Sequence, residues 1–170
     1  MRLTEQKSRH VQIPAAYNIS KAVSNLMLQN KDLQREIEVF NTQKLVELRN
    51  ELIQKAEIIA ENIHFVCSKV NLSNTDLGKE LVFDLKRNLE NGIILLAASI
   101  DSKAYLWLMI SENLLEKHSL NATSLIKEIS GKIQGGGGGQ PFFATAGGKN
   151  PDGIQNALDH GRKLILEKIV

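Results

Sequence analysis

The sequence predicts a mixed α/β (α+β) protein: a long N-terminal coiled-coil-like helical segment, then a small mixed β-sheet domain flanked by helices. Three observations carry this. Val23, Leu26, Asn30, Leu33, Ile37 and Phe40 recur at alternating steps of three and four, which is a heptad seam with one polar position. The run from Gly92 to Ile100 is apolar on both faces, as a central strand buried between layers must be. Between residues 135 and 148 lie seven of the twelve glycines, five of them consecutive. The implied division is a lead-in over 1–19, a helical coiled-coil or dimerisation segment over 20–60, and a globular domain over 61–170.

Composition sets bounds on function. The chain has 170 residues and 18.9 kDa, enough for one ordinary domain with an appendage. Lys and Arg number 21 against 19 Asp and Glu, so any nucleic-acid contact must come from a local patch and not from a bulk basic field. No apolar run reaches membrane-spanning length, so no membrane partner is expected. A single Cys67 excludes an internal disulfide and a Cys-rich zinc site, and it fits a reducing, cytoplasmic location. No signal peptide is read at the N-terminus.

Taken in order, residues 1–17 show no period and read as a frayed lead-in. The heptad seam begins after Ser20. Beyond Phe40 the register slips to a new stripe of Leu45, Leu48, Leu52, Ala56 and Ile59, which leaves open one bent helix or two. Roughly forty helical residues extend about 60 Å, longer than a small domain covers, so the seam either packs on the chain's own domain or self-associates. A buried Asn30 would fix register and partner number.

Residues 63–70 read as a strand with Ile63, Phe65 and Cys67 on one face. His64 and Cys67, three apart, point to opposite faces and cannot share a metal. Ser73, Asn74 or Thr75 caps a helix lined by Leu77, Leu81, Leu85 and Leu89, with Gly92 expected at its left-handed C′ position. The buried strand from Gly92 turns at Asp101–Lys103 and returns through Tyr105, Trp107 and Met109, giving a βαβ unit with an antiparallel strand added. Trp107 reads as packing. Asn121 caps a helix carrying Leu125, Ile126, Ile129 and Ile133. After the glycines, Asn150-Pro151 is a start signal for a last helix with Ile154, Leu158, Leu164 and Ile165 inward.

The glycine run is expected to be a loop where main chain meets a partner, since a folded domain keeps such a run only for positive φ or close approach. It is not a P-loop, because Gly148-Lys149 is followed by Asn150 and not Ser or Thr. Nor is it a dinucleotide fingerprint, because it follows a helix and Gln140 stands where the third glycine should be. His10, His64, His118 and His160 are scattered singly, and no catalytic triad or metal set is read. The chain alone is expected to be non-catalytic, without a metal. The run fits RNA read by shape: backbone at Gly137, Gly138 and Gly139 approaches phosphate or a base edge, and Phe142 or Phe143 stacks on a base face. Lys132, Gln134, Gln140, Lys149, Asn150, Arg162 and Lys163 supply donors to phosphate and ribose. The alternative is that at least one of the two phenylalanines fills the core beneath; adjacent residues in an extended segment point opposite ways, so one can be buried while the other is presented.

Gly137-Gly-Gly-Gln-Pro-x-x-Ala-x-Ala-Gly-Gly148, followed by a helix, resembles the glycine signature of the DHHA1 domain. With the preceding heptad helix and strand–helix–strand–strand series, residues 18–170 look like the C-terminal part of alanyl-tRNA synthetases. The glycines and Pro141 match. Gly136, Gln140 and Phe142 depart, standing where that family often has Lys, Arg and an acidic residue. The resemblance implies a module that grips the elbow of alanine-specific tRNA, dimerises, and serves aminoacylation and editing domains upstream. That parent family uses ATP, magnesium and zinc, none of them expected in this segment. The alternatives are the substrate-binding half of a DHH-type phosphoesterase or nuclease, and a pure oligomerisation module.

Overall fold

The computed structural model describes residues 14–169. Of the lead-in expected over residues 1–19, residues 1–13 lie outside them, and from Pro14 onward the chain is already helical. The chain divides into two compact units, parted between Thr42 and Gln43. Helix α1 (Pro14–Gln54) is continuous through the register slip. It opens on Pro, whose fixed φ suits a first helical turn, and neither Gly nor another Pro follows within it to break it.

In the first unit the heptad seam is unburied: Val23 is 48% exposed, and Leu26 and Phe40 are each 64% exposed. In the second unit the other stripe packs on its own domain. Leu45 and Leu52 are buried and Leu48 is half-buried. The slip therefore marks a change of what the helix faces. The helix ends at Gln54, and Glu57–Ile59, expected as its tail, instead form the short strand β1.

The remaining elements are β2 (Ile63–Lys69), α2 (Thr75–Asn88), β3 (Gly92–Ile100), β4 (Lys103–Ile110), α3 (Glu112–Lys117), α4 (Ala122–Ser130), β5 (Gly135–Gly139), β6 (Phe143–Gly148) and α5 (Ile154–Ile169). The strands form one six-stranded sheet in the order β1-β2-β3-β4-β6-β5, with only β2 and β3 parallel. As the sequence predicts, this is a mixed α/β fold with a long N-terminal helix and a mixed sheet flanked by helices. One face of β3, through Ile93, Leu95 and Ala97, packs with Leu125 and Ile129 of α4 and with Ala157 and Ile165 of α5. The other face, through Ile94, Leu96 and Ala98, packs with Leu81 and Leu85 of α2 and with Leu45 and Leu52 of α1. Each fully buried Leu or Ile among them contributes about 1.5–3 kcal/mol, and the alanines less.

Local signals explain the joints. Oδ1 of Asn74 accepts from the Leu77 N–H at 3.0 Å, and Oδ1 of Asn121 accepts from the Ser124 N–H at 3.1 Å, each satisfying an orphan donor of its helix. Asp101 and Ser102 both take positive φ (49° and 59°), the two-residue turn that suits the twist of a hairpin. After α2 the left-handed residue is Asn91 (φ 52°), not Gly92, which is already the first residue of β3. Asn tolerates that region, and its displaced neighbour gains a place in the ladder. Asn150 holds the expected N-cap position with Pro151 behind it, but its side chain makes no capping bond, and the first turn there, Pro151–Gly153, is 3-10.

The largest departure is the glycine run. It is a strand and not a loop: Gly135 to Gly139 pair in register with Gly148 to Ala144. A strand needs only backbone groups, and β6 offers them a partner edge. Close approach explains three of the glycines. A Cβ at Gly135, Gly137 or Gly139 would stand 2.1, 2.4 or 2.3 Å from a carbonyl oxygen of β6. Gly136 and Gly138 would meet nothing within 4 Å.

Candidate nucleic-acid interface

The candidate site is the β5–β6 end of the sheet. β5 is the last strand in the order, so its outer backbone edge pairs with no further strand among the described residues. Unprotected edges are normally blunted by charge, proline or a bulge, and a bare row of glycines has none of these. The connection to β6 is held firmly. Gln140 N–H donates to the Phe143 carbonyl at 2.8 Å, and Phe143 N–H donates back to the Gln140 carbonyl at 3.1 Å. The Pro141 carbonyl accepts from the Ala122 N–H at 2.7 Å, the Gln140 carbonyl from Thr123 Oγ1 at 3.2 Å, and the Phe142 carbonyl from the Ile110 N–H at 2.9 Å. The start of α4 and the end of β4 thus pin the turn.

Of the residues the sequence singles out, Lys132, Gln134, Gly137, Gly138, Gly139, Gln140, Phe142, Phe143, Lys149 and Asn150 gather on or beside β5 and β6. Lys132, Gln134, Gln140 and Lys149 are exposed. Gln134 takes a left-handed conformation (φ 51°) that turns the chain into β5. The phenylalanines do not split one inward and one outward. Both are half-buried against the α2 side of the core. Phe143 meets Phe83 at 5.0 Å between ring centroids, and Lys86 Nζ lies 5.3 Å from the centre of the Phe142 ring. The reason is Pro141: the tight turn it occupies interrupts the extended alternation that would set adjacent side chains on opposite faces.

Arg162 and Lys163 lie elsewhere. Arg162 Nη1 donates to Glu57 Oε1 at 2.9 Å, and Nη2 to Oε2 at 2.5 Å, so α5 is tied to β1 at the opposite edge of the sheet from the glycine strand. This hydrogen bonding lowers the Glu57 pKa and raises that of Arg162. Lys163 is exposed and 3.8 Å from Glu167 on the same helix.

Register also builds a feature that spacing in the sequence gives no sign of. Tyr105 pairs with Gly147 and Gly147 with Gly136; Trp107 pairs with Thr145 and Thr145 with Gly138. These rows share one sheet face. Beside the first turns of α2 they leave a recess of about 240 Å³ lined by Thr75, Lys79, Tyr105, Trp107, Thr145 and Gly147. Among the described residues, no group of three His, Cys, Asp or Glu side chains is placed to hold a metal, and no helix is long and apolar enough to cross a membrane.

The fold and its glycine signature define the class. The DHHA1 domain family matches over residues 62–167, and the chain belongs to that family. Within it the chain is similar to alanine–tRNA ligases. It is 40% identical over 145 residues to that of Christiangramia forsetii, covering 85% of this chain and 16% of the relative. It is 33% identical over 148 residues to that of Cytophaga hutchinsonii, covering 87% and 17%. The chain thus spans about a sixth of the length of these curated relatives. Among solved structures, the C-Ala domain of Aquifex aeolicus alanyl-tRNA synthetase shares the fold, with a TM-score of 0.56 at 23% identity over 67% of this chain and 96% of that one. The resemblance to the C-terminal domain of alanyl-tRNA synthetases therefore holds.

Proposed function

We infer that this chain acts as a C-terminal tRNA-binding and oligomerisation module of an alanine–tRNA ligase, reading the elbow of alanine-specific tRNA by shape. The observation that carries this reading is the side-chain-free edge strand: five consecutive glycines held in register, two of which have no packing reason to be glycine. Such an edge lets backbone N–H groups come within hydrogen-bonding distance of phosphate or a flat base face, where any side chain would hold RNA away. The exposed cations Lys132 and Lys149 flank it. With a net charge of only +2, contact by shape suits the chain better than a field of charge.

The second half of the reading rests on the unburied seam of Val23, Leu26, Leu33, Ile37 and Phe40, which pairs with a second copy to make a homodimer. The module performs no chemistry itself. ATP, magnesium and zinc belong to aminoacylation and editing domains elsewhere in a longer cytoplasmic protein, for which the module holds one tRNA. Fluorescence anisotropy of this chain with folded tRNA, beside a tRNA whose D-loop and T-loop contact is disrupted, tests the reading over a salt series. Binding to the folded form alone, with a shallow salt dependence, is the expected result. Equal binding to both, or none, overturns it.

A further inference from the structure

The geometry points to a phosphodiester subsite in the recess between α2 and the β4–β6 face, beside the glycine strand; this rests on the RNA-binding reading above. The recess is a built cavity of about 240 Å³, and the polar groups that line it are weighted towards donors. Lys79 brings an ammonium, Tyr105, Thr75 and Thr145 bring hydroxyls, and no carboxylate lines it. Lys79 Nζ also lies 3.6 Å from the carboxylate of Asp76, which is 88% exposed and is not among the lining residues.

Trp107 supplies the independent observation. It is only 2% exposed, and its ring packs so closely on α2 that a Cβ at Gly78 would stand 2.3 Å from it. No group among the described residues accepts from its indole N–H. A buried ring usually finds a partner for that donor. Here the N–H is not sealed off either: the single fully enclosed orphan nitrogen among the described residues is Nε2 of His118. The ring that carries this unpaired donor is one of the walls of the recess. A group rich in acceptors, anionic, and small enough for the space is a phosphodiester with its ribose. The neighbouring rows Tyr105–Gly147–Gly136 and Trp107–Thr145–Gly138 carry that backbone straight onto the bare strand.

Trp107 is the only tryptophan of the chain, so its emission reports on this recess directly. The test titrates the full chain, as wild type, Lys79→Ala, Tyr105→Phe and a distant Lys168→Ala control, with folded tRNA over a salt series. Anisotropy of labelled tRNA and Trp107 emission are both followed. The expected result is an emission change that tracks the binding curve, affinity about five- to tenfold weaker for Lys79→Ala and Tyr105→Phe, and a salt slope about one unit shallower for Lys79→Ala. Lys168→Ala should bind as wild type. If tRNA binds while emission stays flat and both recess variants match wild type, the subsite is overturned and the RNA-binding reading stands. If wild type binds no tRNA, both fall.

Discussion

Gly138 and Gly137 are neighbours in one strand, yet only one of them is held there by packing: a Cβ at Gly137 would lie 2.4 Å from the Thr145 carbonyl oxygen, and one at Gly138 would meet nothing within 4 Å. Gly137→Ala should lower stability by about 1–3 kcal/mol, since the β6 backbone must shift to admit the methyl group. Gly138→Ala should be neutral or stabilising by up to about 1 kcal/mol, because the unfolded chain loses freedom and the folded chain loses nothing. Urea unfolding of the two variants beside wild type checks this. Equal destabilisation would show that both positions are structural.

The Arg162–Glu57 pair ties α5 to β1 far from the glycine strand. Both side chains are substantially exposed, at 41% and 51%, so Arg162→Ala should cost under about 1 kcal/mol and leave tRNA affinity unchanged. The sign of the pH effect follows from Glu57, whose folded pKa lies below 4.5 chiefly through its hydrogen bonds from Arg162. The stabilisation is present above pH 4.5 and is lost as pH falls through the lower folded value. Wild type and Arg162→Ala should therefore converge in melting temperature on acidification. A gap that persists at low pH would place the stabilisation in packing.

Burial pushes the Cys67 thiol up to about 11 from 9.0. At pH 8 the folded chain then carries about a hundredfold less thiolate than an ordinary cysteine would, and thiolate is the reactive form. A disulfide reagent should label Cys67 slowly in the native protein and rapidly in urea. Fast native labelling would mean that β2 opens locally.

Much of the sheet is legible in the sequence because its elements carry periodic apolar patterns. α2 shows a four-residue leucine stripe, β3 an unbroken apolar run, and Asn74 and Asn121 are capping residues in the right places. The glycine strand is not legible, since glycine has no side chain to alternate and is depleted in strands. β1 is three residues long and continues a helical stripe, so its pattern is that of the helix before it. The placement of Arg162 depends on which sheet edge α5 crosses, and the recess depends on register between strands some forty residues apart. Neither leaves a local mark. Pro141 carries the local signal for Phe142 and Phe143, because a pinned turn there breaks their alternation.

The seam of α1 predicts self-association. Leu26→Glu with Leu33→Glu puts two charges where apolar side chains, 64% and 58% exposed in the single chain, would meet a second copy. Light scattering should give twice the 18.9 kDa chain mass for wild type and the single mass for the variant. A monomeric wild type at micromolar concentration would remove the dimer and leave the RNA reading untouched.

The most direct test of the bare strand as the tRNA contact is the double variant Gly136→Val, Gly138→Val, measured for melting temperature and for binding to folded tRNA. Both positions have open space, so the fold should melt at or above the wild-type temperature. The account predicts a loss of tRNA affinity of at least about tenfold, since two branched side chains hold the backbone away from its partner. A stable variant that binds folded tRNA as tightly as wild type would contradict it.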